Sequence, residues 1–439
     1  MTDDYLNRLL DDFATAEPRE DWADVLKRAR RARRRYVAVA VAVATLMLVP
    51  SAWAIQRALS TKHYVPSYAP SAAQIIDLSW SNPRRGWALL GRTCSSRRNR
   101  CAVVEETWNG GATWQQLSSL PAEIGPGSNG ALSGYGGFCT AGHACVSHIE
   151  FVTRRVGYAY GSSLFMTTDG GRSWEHVSAR PVESMAISGS KVFRLVYSHP
   201  GCPGPCAPML QSSTPGTRVW APVPVQVTAG NGNGETIYAA GRDLYVFSWG
   251  NAAGGVTSHA AIAVSRDRGR TWSTIADPCG SIGHEESDAV TASAVRDSLG
   301  VLCAPKSGGR PFVALSRDAA RTFAKGTPLS IAAPEQIAIS GSGSVAVANA
   351  GVTGDGPFTY TLSVSHDGGH TWKVAVRDRA RVAIDLAAGF LQFISPHDLL
   401  WVGYPYSLWQ SRNGGRTWEK RPSPRRGTSG VVGAVSSSG

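Results

Sequence analysis

The sequence predicts an all-β chain built from repeated short strands. Of its 439 residues, 48 are Gly and 14 are Trp, while 43% are hydrophobic and only 17% are charged. This composition favours strands joined by tight turns, and it excludes both a disordered chain and a helical bundle. A short motif also recurs at a near-regular spacing, which is the signature of a repeat protein.

The recurring motif has the form S/T-x-D/N-x-G-x-S/T-W/F. Copies begin at Thr107, Thr167, Ser265, Ser316, Ser365 and Ser411, and Ala320 replaces the glycine in the fourth. Successive third positions are 60, 98, 51, 49 and 46 residues apart, so one gap is twice the others. The doubled gap predicts a degenerate copy, and the segment Ser212–Trp220 fits there with one inserted residue. The chain therefore contains seven units of about 50 residues.

Each copy is expected to form a turn between two strands. An Asp or Asn before Gly makes a tight turn in which its side chain bonds backbone amides, and the aromatic that follows packs between sheets. We therefore assign these residues a structural role and no catalytic one. The turn residues and closing aromatics are Asn109, Trp114, Asp169, Trp174, Asp267, Trp272, Asp318, Phe323, Asp367, Trp372, Asn413 and Trp418.

The motif resembles the Asp-box, or BNR, repeat of sialidase-like β-propellers. Upstream segments such as Gly86–Leu90 and Gly157–Tyr160 look closest to the propellers of the photosystem II assembly-factor type, in which a Gly-Trp or Gly-Tyr pair opens the second strand. The resemblance implies a seven-bladed, all-β propeller over residues 71–420 with four strands in each blade, the motif turn joining the third and fourth. It does not imply photosynthesis.

Glycoside hydrolysis is the enzymatic alternative that the resemblance raises. A sialidase would need three arginines around a carboxylate, a Tyr paired with a Glu, and an acid Asp. It would usually also show an Arg-Ile-Pro string early in the propeller, and this chain contains no such tripeptide. The best acid-base or metal candidate in the sequence is the segment 283–288, with His284, Glu285, Glu286 and Asp288, for which a solvated loop is the simpler interpretation. His284, Glu285 and Glu286 are also candidates for the binding face. No catalytic residue, metal ligand or cofactor site is therefore predicted.

A membrane anchor is predicted near the N-terminus. Residues 36–55 contain no charge and are long enough to span a bilayer as a helix. The seven basic residues in 25–35 precede them, which predicts a cytoplasmic N-terminus and an extracytoplasmic remainder. The alternative is a signal peptide cleaved near Ala54, which would release a secreted protein. The predicted segments are 1–35 (cytoplasmic, helical and basic), 36–55 (anchor), 56–70 (linker), 71–420 (propeller) and 421–439 (flexible tail).

The eight cysteines all follow the predicted anchor, as expected for disulfides in an oxidising compartment. Spacing suggests the pairs Cys94–Cys101, Cys139–Cys145, Cys202–Cys206 and Cys279–Cys303, although eight cysteines allow many connectivities. In a propeller these positions decorate the face opposite the motif turns. We expect a partner to bind there, with Arg97, Arg98 and Arg100 contributing charge.

The function predicted from the sequence is therefore a membrane-anchored, non-catalytic propeller that binds a protein or a cell-envelope polymer. The net charge of +12 does not indicate nucleic acid, which an exported domain rarely meets. A transmembrane sensor is a further alternative, because residues 1–24 contain an amphipathic helical pattern that would suit a cytoplasmic partner.

Overall fold

Seven antiparallel sheets follow one another along the chain. The computed structural model describes residues 74–93, 100–125, 144–197, 208–225, 235–248, 261–282, 287–305, 309–331, 334–349, 358–380, 390–403, 407–422 and 424. All of them belong to the unit Pro66–Gly439. Each sheet pairs its strands in sequence order, so each is one blade, and the predicted all-β, seven-bladed propeller is confirmed.

The first three blades are built as follows. Blade 1 contains β1 (Gln74–Asn82), β2 (Arg85–Thr93), β3 (Arg100–Thr107), β4 (Gln115–Ile124) and β5 (Cys145–Val146). Blade 2 contains β6 (His148–Phe151), β7 (Gly157–Tyr160), β8 (Leu164–Thr167) and β9 (Glu175–Ser178). Blade 3 contains β10 (Val182–Ser188), β11 (Lys191–Val196), β12 (Met209–Ser213) and β13 (Ala221–Pro222).

The other four blades have four strands each. Blade 4 contains β14 (Glu235–Ala240), β15 (Asp243–Ser248), β16 (Ala261–Ser265) and β17 (Ser273–Ala276), and the short helix α1 (Pro278–Ile282) follows it. Blade 5 contains β18 (Ser287–Val295), β19 (Ser298–Pro305), β20 (Phe312–Ser316) and β21 (Ala324–Lys325). Blade 6 contains β22 (Pro334–Ile339), β23 (Val345–Asn349), β24 (Phe358–Ser365) and β25 (Lys373–Ala380). Blade 7 contains β26 (Leu391–Phe393), β27 (Leu399–Gly403), β28 (Ser407–Ser411) and β29 (Glu419–Arg421).

Blade 1 departs from the expected four strands. The short strand β5 pairs in parallel with the end of β4, where Glu123 lies opposite Cys145 and Ile124 opposite Val146. The connection between blades 1 and 2 therefore returns along the outer edge of blade 1 before it enters β6. Backbone groups of that edge strand gain partners that a four-stranded blade would leave to solvent.

Apolar packing between neighbouring blades forms the core. One hydrophobic cluster lies between each adjacent pair of sheets, seven in all within the described residues. The ring closes where Ile75 and Leu78 of blade 1 pack with Leu400 and Val402 of blade 7. The first and last described sheets exchange no strand, so among the described residues side-chain packing holds these two blades together.

The motif turns join the third and fourth strands of their blades. In blade 2 the Asp169 Oδ1 atom accepts the backbone N–H groups of Arg172 and Ser173 at 2.9 and 3.0 Å, and Ser173 Oγ donates to Oδ2 at 2.6 Å. Gly170 and Gly171 both have positive φ, which glycine adopts without a steric penalty. The degenerate segment Ser212–Trp220 lies in the same place, between β12 and β13.

The disulfide Cys279–Cys303 is present, as predicted, and links α1 to β19. Cys101 and Cys145 are also disulfide-bonded. Cys94, Cys139, Cys202 and Cys206 lie outside the described residues, as do the predicted cytoplasmic segment (1–35), anchor (36–55) and linker (56–70). Within the described part of the chain, no helix has the length and apolar character needed to cross a membrane.

Candidate functional site

The first strands of the blades contact one another around the centre of the ring, β14 with β18 and β18 with β22 among them. These seven strands contain six acidic residues and not one Lys or Arg. The acids are Asp77, Glu150, Glu183, Glu235, Asp288 and Glu335. Seven strands that carry six acids and no Lys or Arg are unexpected in a chain whose net charge is +12. We therefore place the candidate site where these first strands meet.

Blades 1 and 2 form the solvent-accessible part of the site. Asp77 Oδ2 accepts the backbone N–H of Ile149 at 2.9 Å and lies 3.5 Å from Nδ1 of His148. The His148 side chain is 42% exposed and that of Asp77 is 22% exposed, so both groups can be reached from solvent. The His148 ring stacks on Tyr160 with a centroid separation of 5.1 Å. Burial acts to lower the pKa of His148, but the paired Asp77 carboxylate outweighs it and raises that pKa.

Blades 3 and 4 form the buried part. Glu183 is 8% exposed and Glu235 is 2% exposed. Tyr197, just after β11, donates its phenol O–H to Glu235 Oε2 at 2.6 Å. In contrast, Glu183 Oε2 is buried and has no hydrogen-bond partner in the described structure. An unpaired buried carboxylate oxygen is costly, so this atom is available to a donor from a ligand or a water molecule.

Two of these carboxyl groups titrate far above the usual range for glutamate. Burial raises the pKa of Glu150 to about 8, and the nearby Asp77 charge raises it further. Burial also raises the pKa of Glu183 to about 7, where His148 opposes the shift and Glu235 adds to it. Perturbed carboxyl groups gathered in one place are typical of functional sites. We name Asp77, His148, Glu150, Glu183 and Glu235 the acid cluster.

The acid cluster lies at the end of the propeller opposite the motif turns. Tyr160 ends a second strand and Tyr197 follows another, which places both beside the connections between second and third strands. Cys279 and Cys303 lie at the connection into blade 5, on that same end by strand order. The acid cluster offers a ring of hydrogen-bond acceptors for a cation, or a protonated carboxyl group that can act as an acid. No group of described residues has the arrangement of a metal site.

Most of the binding residues selected from the sequence are not described by the structure. Arg97, Arg98, His284, Glu285 and Glu286 lie outside the described residues, Arg100 is described only as the first backbone position of β3, and Asp288 only as a position of first strand β18.

The motif residues are located at the turns. Asp267, Asp318 and Asp367 make the same backbone contacts as Asp169, and Asn109 and Asn413 also accept a backbone N–H four residues ahead. The motif aromatics are partly buried, whereas Trp87 and Trp401, outside the motif, are at most 1% exposed.

Sequence reasoning missed the acid cluster because it searched loops for carboxylates. A usable signal was present: an acid occurs in six of the seven first strands, where a central strand normally reads as apolar. Aligning the seven units would have shown an acid in six first strands, with Glu183, Glu235 and Glu335 at the same register position.

Comparison with known proteins supports the fold. No family model matches the sequence, and no curated protein matches it. Solved structures that resemble the chain include an ancestral GH74 enzyme, at 11% identity and a TM-score of 0.51, over 81% of this chain and 47% of that one. YCF48 from Cyanidioschyzon merolae matches at 16% identity and a TM-score of 0.41, over 62% of this chain and 84% of that one.

A GH74 xyloglucanase from Xanthomonas campestris matches 79% of this chain and 66% of its own length, at 15% identity and a TM-score of 0.31. At such identities a likeness concerns the fold alone. The seven sheets and this likeness identify the chain as a seven-bladed β-propeller, and its recurrent motif turns make it similar to propellers of the BNR type.

Proposed function

We propose that this chain is a membrane-anchored, extracytoplasmic binding propeller that receives a cationic group of a protein ligand at the acid cluster. One observation carries the proposal: the seven first strands hold six acids and no Lys or Arg, and the buried Glu183 Oε2 atom lacks a hydrogen-bond partner among the described residues. A lysine ammonium or arginine guanidinium would supply the missing donors and neutralise the clustered charge.

The physical argument rests on preorganisation. The carboxylates are held by the rigid first strands, so a cation would meet acceptors that need little rearrangement. Tyr160 and Tyr197 add aromatic rings beside the acids, and such rings attract cations as well. Solvent exposure falls from His148 to the buried Glu235. This gradient suits a long ligand side chain that enters the acid cluster with its charged end first.

Two features support the extracytoplasmic location. The disulfide Cys279–Cys303, with disulfide-bonded Cys101 and Cys145, is of the kind that persists in oxidising compartments. The uncharged segment 36–55 with its basic N-terminal flank supplies the proposed anchor.

The test measures binding of a labelled hexalysine peptide to the full chain in a neutral detergent, by fluorescence anisotropy, with the acetyl-lysine form of the peptide as the uncharged probe. Glu183→Gln should weaken hexalysine binding about tenfold, as expected for a charge-assisted contact. The matched control is Glu419→Gln on outer strand β29, whose exposed carboxylate lies outside the acid cluster. Equal affinities for the two variants, or equal binding of both peptides, would contradict the proposal.

A glycoside hydrolase is the second candidate, and one contact favours it. The Tyr197–Glu235 pair is a Tyr paired with a Glu, as sialidase chemistry requires, and the protonated carboxyl groups beside it could act as acids. Against it, the first strands contribute no arginine to bind a substrate carboxylate. Hydrolysis of a panel of aryl glycosides by the full chain, abolished by Tyr197→Phe, would favour this candidate over the binding propeller.

A further inference from the structure

Four residues other than glycine have positive φ in the described structure, and all four lie in turns of blades 4 and 5. They are Arg268, Arg296, Ala319 and Ala320, with φ between 51° and 62°. Left-handed backbone is unfavourable for residues with a Cβ, and such local strain concentrates where function requires a particular side chain. The two adjacent blades are therefore unusual on the face of the motif turns.

Two of these strained residues are arginines that replace glycine. Arg268 occupies the motif position filled by Gly110, Gly170, Gly368 and Gly414 in other copies. Arg296 occupies the first turn position between first and second strands, which Gly189 and Gly241 fill in blades 3 and 4. At both positions the chain accepts an unfavourable backbone conformation and gains a positive charge.

These arginines belong to a larger basic surface. Six exposed arginines lie on four turns of blades 4 and 5, and we name them the arginine face: Arg242, Arg268, Arg270, Arg296, Arg317 and Arg321. None of the six forms a salt bridge with another described residue. The motif carboxylates among them, Asp267 and Asp318, are already held by backbone N–H groups of their own turns. Arg321 Nη1 donates to the backbone carbonyl of Asp318 at 2.9 Å, and the guanidinium groups of the other five donate to no described residue. The arginine face therefore presents exposed positive charge without an ion-pair partner among the described residues.

We propose that the arginine face binds a linear polyanion whose charges lie on phosphate groups along its backbone. Its cations are all arginines, whose planar fork matches phosphate oxygens in a bidentate manner. They stand on four separate turns, a spread that suits a chain with repeated charges.

The guanidinium groups of two of these arginines also lie against glycines of neighbouring blades, which gives packing as the competing role. A Cβ placed on Gly189 of blade 3 would lie 3.4 Å from Arg268 Nε, and one on Gly341 of blade 6 would lie 3.3 Å from Arg296 Nε. If these arginines serve packing, replacing them with glycine removes contacts between blades and lowers the stability of the fold. If they serve ligand binding, the same replacement relieves backbone strain and leaves the fold at least as stable.

The test uses the full chain in neutral detergent and long-chain inorganic polyphosphate as the probe, with binding measured at 0.15 M salt. The double variant Arg268→Gly/Arg296→Gly should melt no lower than the parent and bind polyphosphate about tenfold more weakly. Two controls are matched to it. Ala319→Gly/Ala320→Gly relieves strain on the same face without a charge change, and Arg154→Ser/Arg155→Ser removes two charges from a turn of blade 2; both should bind as the parent does.

Three results would overturn the proposal. The first is unchanged polyphosphate binding by the Arg268→Gly/Arg296→Gly variant. If its melting temperature also falls, the two arginine side chains serve packing between blades. The second is an equal loss in Arg154→Ser/Arg155→Ser, which reduces the effect to net charge. The third is equal or tighter binding to polyglutamate or to vesicles containing phosphatidylglycerol, since the ligand would then be a polycarboxylate or a bilayer.

Discussion

Trp87 of blade 1 donates its indole N–H to the backbone carbonyl of Gly170, in the motif turn of blade 2, at 3.1 Å. The same indole stacks on Phe151 of blade 2 with a centroid separation of 3.8 Å and an interplanar angle of 5°. One fully buried side chain therefore joins the turn and the core of the neighbouring blade. The motif turn consequently contributes to packing between blades as well as to its own hairpin.

Trp87→Ala should destabilise the propeller by about 3–5 kcal/mol, the usual range for a buried aromatic. The variant loses apolar burial, the ring stacking and the only described partner of the indole N–H. Trp174→Ala is the matched control because Trp174 is only partly buried against Phe151. We expect a smaller loss for it, measured by urea denaturation of both variants. Equal losses would show that burial does not separate the two sites.

The motif aspartates should make the fold sensitive to acid. The hydrogen bonds donated by Thr322 and Thr371 lower the pKa values of Asp318 and Asp367. Burial acts to raise the pKa of Asp267, but hydrogen bonds from Thr271 and Ser265 outweigh it and lower that pKa to about 2. The unfolded chain takes up these protons near its ordinary value of 3.8, so the stabilisation is present above that pH and disappears as pH falls toward 2.

Replacing Asp267, Asp318 and Asp367 together with Asn should flatten the dependence of melting temperature on pH between 4 and 2. Asn109 and Asn413 already make the equivalent turn with a group that does not titrate, so the turn geometry should survive. Thermal melts across that window test the prediction. Parallel pH profiles for the parent and the triple variant would argue against it.

The buried ion pair of Arg85 and Glu106 gives a third prediction. Arg85 Nε lies 2.6 Å from Glu106 Oε1, and their side chains are 10% and 1% exposed. Glu106→Leu should destabilise by about 3–5 kcal/mol, because it leaves the guanidinium buried without its counterion. Arg85→Met/Glu106→Leu should recover most of that loss, since neither charge remains. Chemical denaturation of both variants tests this, and a double variant as unstable as the single one would refute the explanation.

Ionisation of Glu150 should lower the free energy of unfolding of the propeller as pH rises. Its pKa is raised to about 8, from 4.5, by burial and then by the Asp77 charge. The folded state holds this proton more tightly than the unfolded state does, so stability is greatest below about 4.5 and falls as pH rises to about 8.

Glu150→Gln should therefore melt higher than the parent at pH 9 and match it at pH 4. Scanning calorimetry of the full chain at the two pH values measures the difference. Glu419→Gln on the outer strand of blade 7 serves as the control and should change neither value. If Glu150→Gln melts at the same temperature as the parent at pH 9, ionisation of Glu150 does not destabilise the folded chain and the prediction is wrong.

The sequence by itself determined the blades of this protein. Each motif turn is stabilised by hydrogen bonds within eight residues, as at Asp169. The residues that form the turn are therefore the same residues that make the motif recognisable in the sequence. The spacing then gave seven units, including the degenerate copy ending at Trp220. The Cys279–Cys303 pair was also accessible, because the other six cysteines fell into close pairs along the chain.

Only the tertiary structure decided that acids of different first strands form one site. Asp77 and Glu235 are more than 150 residues apart, and they reach the centre because every blade packs its first strand inward. Burial in the folded propeller raises the pKa of Glu183. That burial cannot be predicted from the sequence segment around Glu183. The extra strand β5 likewise depends on the meeting of Glu123 and Cys145 at a sheet edge. Local hydrogen bonding is encoded in local sequence, whereas an electrostatic site assembled from four blades exists only once the ring has closed.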